Sequence, residues 1–420
     1  MNKIILLPQD LKILTKIRRT LHSQAETNFS EWKTFDLIQN YLKDVKGYME
    51  FLTIDEIQPF VCEIGQEKLF KSKVIKESPV PMFKLTFNLG NSGKNVAIRC
   101  DMDGLPIKES HKDSHIPFKE GFCASQNMHA CGHDAHMSIV IATILSVDAQ
   151  LPLLLNKGIK NLSFIFQCAE EGCRGAKVLL NSKILNNIDD LYAFHIGMGL
   201  PFGEVAPKVD RFLATKKLEF EFLGLKAHAG KPHEGLNALL SMCKFIEYGL
   251  SLNNTKEGTY CNFGEVRCDT PCNVIPDKVT CKGEIRAFNL EKLMEVYEKI
   301  TSYLKEIENT KSSFINKSIK VNFRERGFGT PIAPSPLSQR LENAIKDVSL
   351  KNHGKVFSFN ASEDASLLID KVKAQGGEGT YFVIGTNLKA PHHNECFDID
   401  ERSLLDGEKL LLALIAGYLN

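Results

Sequence analysis

No apolar run in this sequence approaches the roughly 20 residues that a membrane-spanning helix needs. The short opening run Ile4-Ile5-Leu6-Leu7 meets Pro8, Gln9 and Asp10 at once, too little for the core of a signal peptide, so the chain is expected in the cytoplasm. Nor is there an excess of charge of either sign: Lys plus Arg number 52 and Asp plus Glu 51. Nucleic-acid binders ordinarily carry a marked basic excess, so neither nucleic acid nor a membrane is an expected partner. The 12 cysteines lack the C-x-x-C spacing of a zinc ribbon or redox pair. Scattered in this way, they are expected to be reduced and mostly buried as small apolar residues. Internal repeats and low-complexity segments are also missing. What remains is an ordinary globular composition, 43% hydrophobic and 25% charged over 420 residues, enough for two domains at roughly 100–200 residues each.

The hydrophobic pattern divides the chain. Leu11, Ile13, Leu14, Ile17 and Leu21 recur at helical spacing, and a second amphipathic run covers Trp32 to Leu42. Two extended runs, Phe83 to Leu89 and Val96 to Cys100, flank the turn-forming stretch Gly90 to Gly93 and predict a hairpin. Apolar runs at 162–167, 191–195 and 380–385 alternate with helical patterns at 136–149, 175–180 and 337–350. That alternation predicts an α/β sheet covered on both faces. Between them, residues 218–223, 279–285 and 319–323 alternate with period two around helical runs at 236–250 and 291–307. This is the pattern of a half-exposed antiparallel sheet backed by helices. Residues 213–325 are therefore expected to be an inserted α+β domain, with 1–212 and 326–420 forming the other domain and 327–336 as the return linker.

Residues suited to metal and proton chemistry fall just after these strands. Asp101 and Asp103 follow one strand, Glu170 and Glu171 a second, His195 closes a third, and His392-His393 follow a fourth. A loop opening a helix carries Cys131, Gly132, His133 and His136. Open α/β sheets bind ligands outside the carboxyl ends of their strands, so separate strands would deliver metal-type ligands to one edge. Each feature alone has a plainer reading. Cys-Gly-His reads as a surface loop, adjacent glutamates as a solvated face, and His195 equally as a core histidine holding a carbonyl. Two acids at a strand end can also divide labour, one binding metal and one moving protons.

Nine blocks occur in order: RRTLHSQAE (18–26), AIRCDMDGLPIKE (97–109), MHACGHDAHM (128–137), FQCAEEGCRGAK (166–177), AFHIGMGLPFGEV (193–205), AHAGKPHEGLNALL (227–240), NVIPD (273–277), SEDASLL (362–368) and APHHNECFDID (390–400). Together they resemble the metal-dependent amidohydrolases that include auxin-conjugate hydrolases, hippurate hydrolases and N-acyl-amino-acid amidohydrolases, distant relatives of carboxypeptidase G and aminoacylase. The forms FHIGMGLPFG, AHAG, SEDASLL and HHNECFDID are most similar to one of the subunit types of aminobenzoyl-glutamate hydrolase. The likeness runs from about residue 18 to the C-terminus.

The resemblance implies an α/β fold: a mixed-sheet, two-metal aminopeptidase-like catalytic domain carrying an inserted lid domain that dimerises. It implies two divalent ions per subunit, Mn²⁺ or Zn²⁺, held by Cys131, His133, Glu171, His195 and His393, with Cys131 bridging. Glu170 would be the general base, and Asp103 would support the site from behind. His228, with Asn273, would stabilise the tetrahedral oxygen, the histidine acting across a homodimer interface. Arg286 would bind a substrate carboxylate. Without the resemblance, His228 reads as a turn residue before Gly230, and Arg286 equally as a solvated strand arginine. The implied reaction is hydrolysis of the amide of a small N-acyl or N-aroyl amino acid, with p-aminobenzoyl-glutamate leading. Hippurate-like or N-acetyl amino acids are the alternative substrates, and membership of a heteromeric hydrolase that needs a partner chain is the alternative role. Cys168, Met137 and Glu395 stand where many relatives have Pro, Thr and Pro. Cys168 beside the two acids raises the question of oxidation or stray metal binding.

Overall fold

The computed structural model describes residues 4–65, 68–69, 78–332 and 335–419. They form two compact units, Met1–Asp210 with Ile332–Phe359 and Asp364–Asn420, and Arg211–Pro331 with Asn360–Glu363. In the first unit the chain lays down β1 (Tyr48–Phe51), β2 (Phe83–Asn88), β3 (Lys94–Asp101), β4 (Ile159–Gln167), β5 (Asp190–Ile196), β6 (Glu204–Ala206) and β7 (Val209–Asp210). The second holds β8 (Ala214–Leu223), β9 (Thr259–Arg267), β10 (Lys278–Ala287) and β11 (Lys320–Gly329). On return the first unit adds β12 (Lys351–Asn352), β13 (Phe357–Ser358) and β14 (Glu378–Ile384).

The main sheet of the first unit has eight strands in the order β1-β2-β4-β3-β5-β14-β6-β12. Its centre, β4-β3-β5-β14, is parallel, and β2 and β6 join antiparallel on either side. All residues of β5 are buried. Because successive side chains point to opposite faces, both faces of the sheet are covered there, the α/β arrangement expected of near-continuous apolar strands. The helix His133–Ala149 is buried around nearly its whole circumference. It packs against the helices Leu11–His22 and Arg402–Leu419.

The expected hairpin of β2 and β3 does not form. β4 lies between them, antiparallel to β2 and parallel to β3. Leu89 N–H donates to Lys160 O at 2.8 Å and Lys94 N–H to Gly158 O at 2.9 Å, so both ends of the turn bond to the chain entering β4. Gly93 has φ 109°, and a Cβ there would lie 2.5 Å from the Gly158 carbonyl oxygen. The glycine serves this close approach, a long-range need that a local turn signal does not disclose. Inserting β4 also gives this apolar strand a partner on each edge.

The second unit is a four-stranded antiparallel sheet, β11-β8-β10-β9. β8 alternates buried and half-buried positions along most of its length. The helices Ala238–Ser251 and Leu290–Asn309 pack on the sheet around Phe220, Phe222, Met242, Phe245, Val279 and Ile300. The sequence pattern does not mark β9, although from Cys261 to Val266 its less exposed positions alternate with exposed ones. Part of the expected return linker is strand: Gly327, Phe328 and Gly329 pair with Lys217, Lys216 and Thr215. Ala333 and Pro334 of that stretch lie outside the described residues. The described cysteines are free thiols; Cys100, Cys168, Cys173, Cys261 and Cys281 are buried, but Cys243 and Cys272 are exposed. No helix among the described residues is long and apolar enough to cross a membrane.

Candidate metal centre

The carboxyl ends of β3, β4, β5 and β14 bring the chemistry to one edge of the first unit's sheet. Asp101 ends β3, Glu170 and Glu171 follow β4, His195 is the penultimate residue of β5, and the loop after β14 carries His393. Cys131 and His133 flank Gly132, the N-cap of the helix His133–Ala149. Gly132 has φ 87°, and a Cβ on it would lie 2.7 Å from Ile196 Cγ2. Only glycine turns the chain here without strain.

The ligand atoms of Cys131, His133 and His195 lie within 4.8 Å of one another, and so do those of Cys131, Glu171 and His393. Cys131 belongs to both trios. Its Sγ is 3.4 Å from His195 Nε2, and His393 Nε2 is 3.4 Å from Glu171 Oε1. Glu170, 6% exposed, stands beside them with Oε2 4.0 Å from His133 Nε2. Asp103 receives Glu170 N–H on Oδ1 and Glu171 N–H on Oδ2, each at 3.0 Å. One carboxylate thus fixes the backbone of both glutamates.

The tautomers suit a cation. His195 Nδ1 is 2.8 Å from its neighbour's carbonyl, Ile196 O, so Nδ1 carries the proton and Nε2 keeps its lone pair. The core-histidine reading and the ligand reading describe two nitrogens of one ring. His136 is used on both sides, Nδ1 with Asp101 and Nε2 accepting from Ile196 N–H. His392 Nε2 accepts from Met198 N–H at 3.0 Å, whereas it is His393 that stands with Cys131 and Glu171.

Burial lowers the pKa of His133, but Asp101, Asp103 and Glu171 outweigh it and push it up to about 10. Burial, then Glu171, Glu170 and Asp101, hold the Cys131 thiol well above its ordinary range. Burial and neighbouring histidines keep His195 neutral. A field that favours a protonated imidazole and resists a bare thiolate favours a metal cation for the same reason. Among the described residues His133 Nε2 is buried without a hydrogen-bond partner, as a ring aimed at an ion would be. The thiolate, imidazole and carboxylate donors fit divalent transition ions.

Cys168 is fully buried and lies in none of the metal-competent groups among the described residues. Burial above all holds its thiol well above the ordinary range.

On the second unit, His228 is exposed and adjacent to Asn273: Ala229 N–H donates to Asn273 O at 3.0 Å, and His228 bridges Val274. His228 Nδ1 accepts from Gly230 N–H at 3.0 Å, which leaves the proton on an outward Nε2. Arg286 is not beside them. It sits near the far end of β10, roughly 25 Å along the strand from Lys278, and its guanidinium pairs with Glu284.

Sequence reasoning passed over the buried ion cluster behind the Cys131–His133 turn. Arg18 contacts Asp134, Asp398 and Glu401 at 2.9, 2.7 and 3.2 Å, and His22 joins Asp134 to Glu109 at 2.8 and 2.9 Å. A signal was present, since RRTLH and CGHDAH carry these groups, but nothing in their spacing shows that they meet.

Fold and site define a class: an α/β protein whose sheet edge gathers donors fit for metal ions, with an acid alongside. The chain belongs to peptidase family M20/M25/M40, whose sequence profile matches residues 97–417, and is thereby an enzyme acting on amide bonds. It is 34% identical to a p-aminobenzoyl-glutamate hydrolase subunit of Escherichia coli, over 93% of this chain and 92% of that protein. It is 30% identical to the homolog of that subunit in Haemophilus influenzae, over 98% and 99%. Identity to indole-3-acetyl-aspartic acid hydrolase of Enterobacter agglomerans is 32%, over 94% and 93%. Two solved structures share the fold. One is an aminobenzoyl-glutamate utilization protein from Klebsiella pneumoniae, with TM-score 0.72 and 22% identity over 96% of this chain and 95% of that one. The other is a dinuclear metal-binding M20 peptidase from Bacillus subtilis, with TM-score 0.64 and 21% identity over 97% and 98%. The family expected from the ordered blocks and the α/β fold class are those found.

Proposed function

We propose that this enzyme hydrolyses the amide bond of an N-acyl or N-aroyl amino acid, p-aminobenzoyl-glutamate before others, using two divalent metal ions. The carrying observation is that Cys131 belongs to two ligand trios, one with His133 and His195 and one with Glu171 and His393, while Glu170 groups with His133 and Glu171. Cys131, His133 and His195 would hold one ion, and Cys131, Glu171 and His393 the other. Cys131 would be the donor held in common by both ions. Such ions acidify water and polarise a carbonyl. The thiolate favours zinc and the subgroup resemblance manganese.

Glu170 is the base. Its carboxylate takes the proton of the attacking water and returns it to the leaving nitrogen, while Asp103 holds its backbone. His228, with its Nε2–H, would be a donor for the tetrahedral oxygen across a homodimer interface, with Asn273 adjacent to it and the second unit as the dimerisation element. Arg286, whose guanidinium pairs with Glu284, would take a substrate carboxylate.

Relatives named for p-aminobenzoyl-glutamate support the leading substrate. The relative named for indole-3-acetyl-aspartate favours a second reading, the same chemistry on another acyl group. That two relatives are named as subunits supports a partner chain. The test is release of p-aminobenzoate by the purified chain with Mn²⁺ or Zn²⁺, repeated after chelation. Metal-dependent release supports the reading. No release by folded, metal-loaded enzyme refutes this substrate or its self-sufficiency, and a panel of acyl-amino acids tells these apart. Glu170→Ala should lower the rate about 10²–10⁴-fold with metal content kept; loss of metal would refute its role as base.

A further inference from the structure

We propose that Glu31, the residue preceding the helix Trp32–Leu42, is a positioning residue that sets the backbone of the Glu170–Glu171 loop. The inference rests on the reading of Glu170 as base and Glu171 as ligand. It begins with Ala169, which holds φ 55° between β4 and the two acids. A side chain-bearing residue stays in the left-handed region only where its surroundings impose it.

Ala169 is clamped from both sides of its peptide. Its carbonyl accepts from Arg174 N–H and Gly175 N–H at 3.2 and 3.1 Å. Its N–H donates to Glu31 Oε1 at 3.2 Å. Glu170 N–H and Glu171 N–H then go to Asp103, each at 3.0 Å. Three successive amides are therefore held by two carboxyl groups, and each amide lost frees the torsions that aim the next side chain.

The two carboxyls are not equivalent. Asp103 also faces His133 Nδ1 at 3.4 Å. Glu31 is 0% exposed, and its Oε2 has no hydrogen-bond partner among the described residues. A buried carboxylate with one oxygen unpaired is costly as an anion. Burial and then the charge of Asp103 raise its pKa, so it sits as the neutral acid. The position needs an acceptor for Ala169 N–H and no charge.

Glutamine offers the same acceptor without charge, and methionine fills the volume without an acceptor. Glu31→Gln should keep kcat within about twofold. Glu31→Met should lower kcat about 10–100-fold, the effect of a misplaced catalytic group, with KM changed much less. Amide hydrogen exchange across residues 168–173 should quicken about tenfold in Glu31→Met and not in Glu31→Gln. Adding Ala169→Gly, which holds a positive φ unaided, should restore part of kcat to Glu31→Met. Wild-type kcat and exchange in Glu31→Met would overturn the proposal, and so would equal damage in Glu31→Gln. Failure of the unaltered enzyme to hydrolyse any acyl-amino acid would count against the proposed function instead, and the exchange measurement would still decide the role of Glu31.

Discussion

Replacing Arg18 by methionine isolates the worth of the ion cluster behind the Cys131–His133 turn. Arg18 is fully buried and meets Asp134, Asp398 and Glu401. Removing one partner of a buried ionic group costs about 3–5 kcal/mol, because the remaining charge is stranded. Two of the three acids keep a cation: Asp134 has His22 at 2.8 Å and Glu401 has Arg19 at 2.7 Å. The loss therefore falls on Asp398, 3% exposed, and the cost belongs at the lower end, about 3 kcal/mol. At ~2–4 °C per kcal/mol for domains of about 150–250 residues, and less for this larger unit, Tm should fall by up to about 6–12 °C. Adding Asp398→Leu removes the stranded charge and should recover part of the loss, since apolar replacement of a buried pair is often neutral. Arg19→Met is the control. Arg19 is 30% exposed in its side chain, and its pairs are worth less than about 1 kcal/mol. Thermal unfolding of the four proteins, wild type included, decides the matter. A fall under about 2 °C for Arg18→Met, or a double variant worse than the single, would refute the stranded-charge argument.

The same cluster gives a pH dependence. Burial lowers the pKa of His22, but Asp134 and Glu109 outweigh it and raise it from 6.5 to about 9. Its stabilising share, on the order of 3 kcal/mol, is complete below about pH 6.5 and is lost as pH rises through about 9. Urea unfolding at pH 6 to 10, as a test series, should show that decline in wild type and a flatter profile in His22→Gln; parallel profiles would contradict it. Gly132→Ala places a methyl group against Ile196 at positive φ, and should cost about 2–5 kcal/mol and lower metal occupancy, read by calorimetry and metal analysis. Cys168→Ala should leave rate and metal content nearly unchanged at a stability cost of about 1–2 kcal/mol. Loss of metal from that variant would show that the buried thiol reaches the site.

The parts of this molecule legible in the sequence are those whose cause is local. A fully buried parallel strand such as β5 reads as an apolar run, and the half-buried β8 as an alternation. Strand ends followed by acids and histidines read as a ligand edge because chain direction alone sends parallel strands to a common edge. What stayed hidden depends on partners distant in the chain. Gly90 to Gly93 looks like a hairpin turn until β4 enters between β2 and β3, since turn chemistry fixes a bend and not the strand that fills it. Arg18 looks like a surface arginine until it meets acids 116, 380 and 383 residues away. Glu31 is one more glutamate near a helix start until the amide of Ala169, 138 residues on, is found on its carboxyl. The groups that would contact substrate and metal are therefore announced by type and strand position. The groups that hold them in place are ordinary residues whose meaning lies in long-range pairing, so a buried charge or an unpaired carboxyl oxygen in the fold finds them where motif spacing does not.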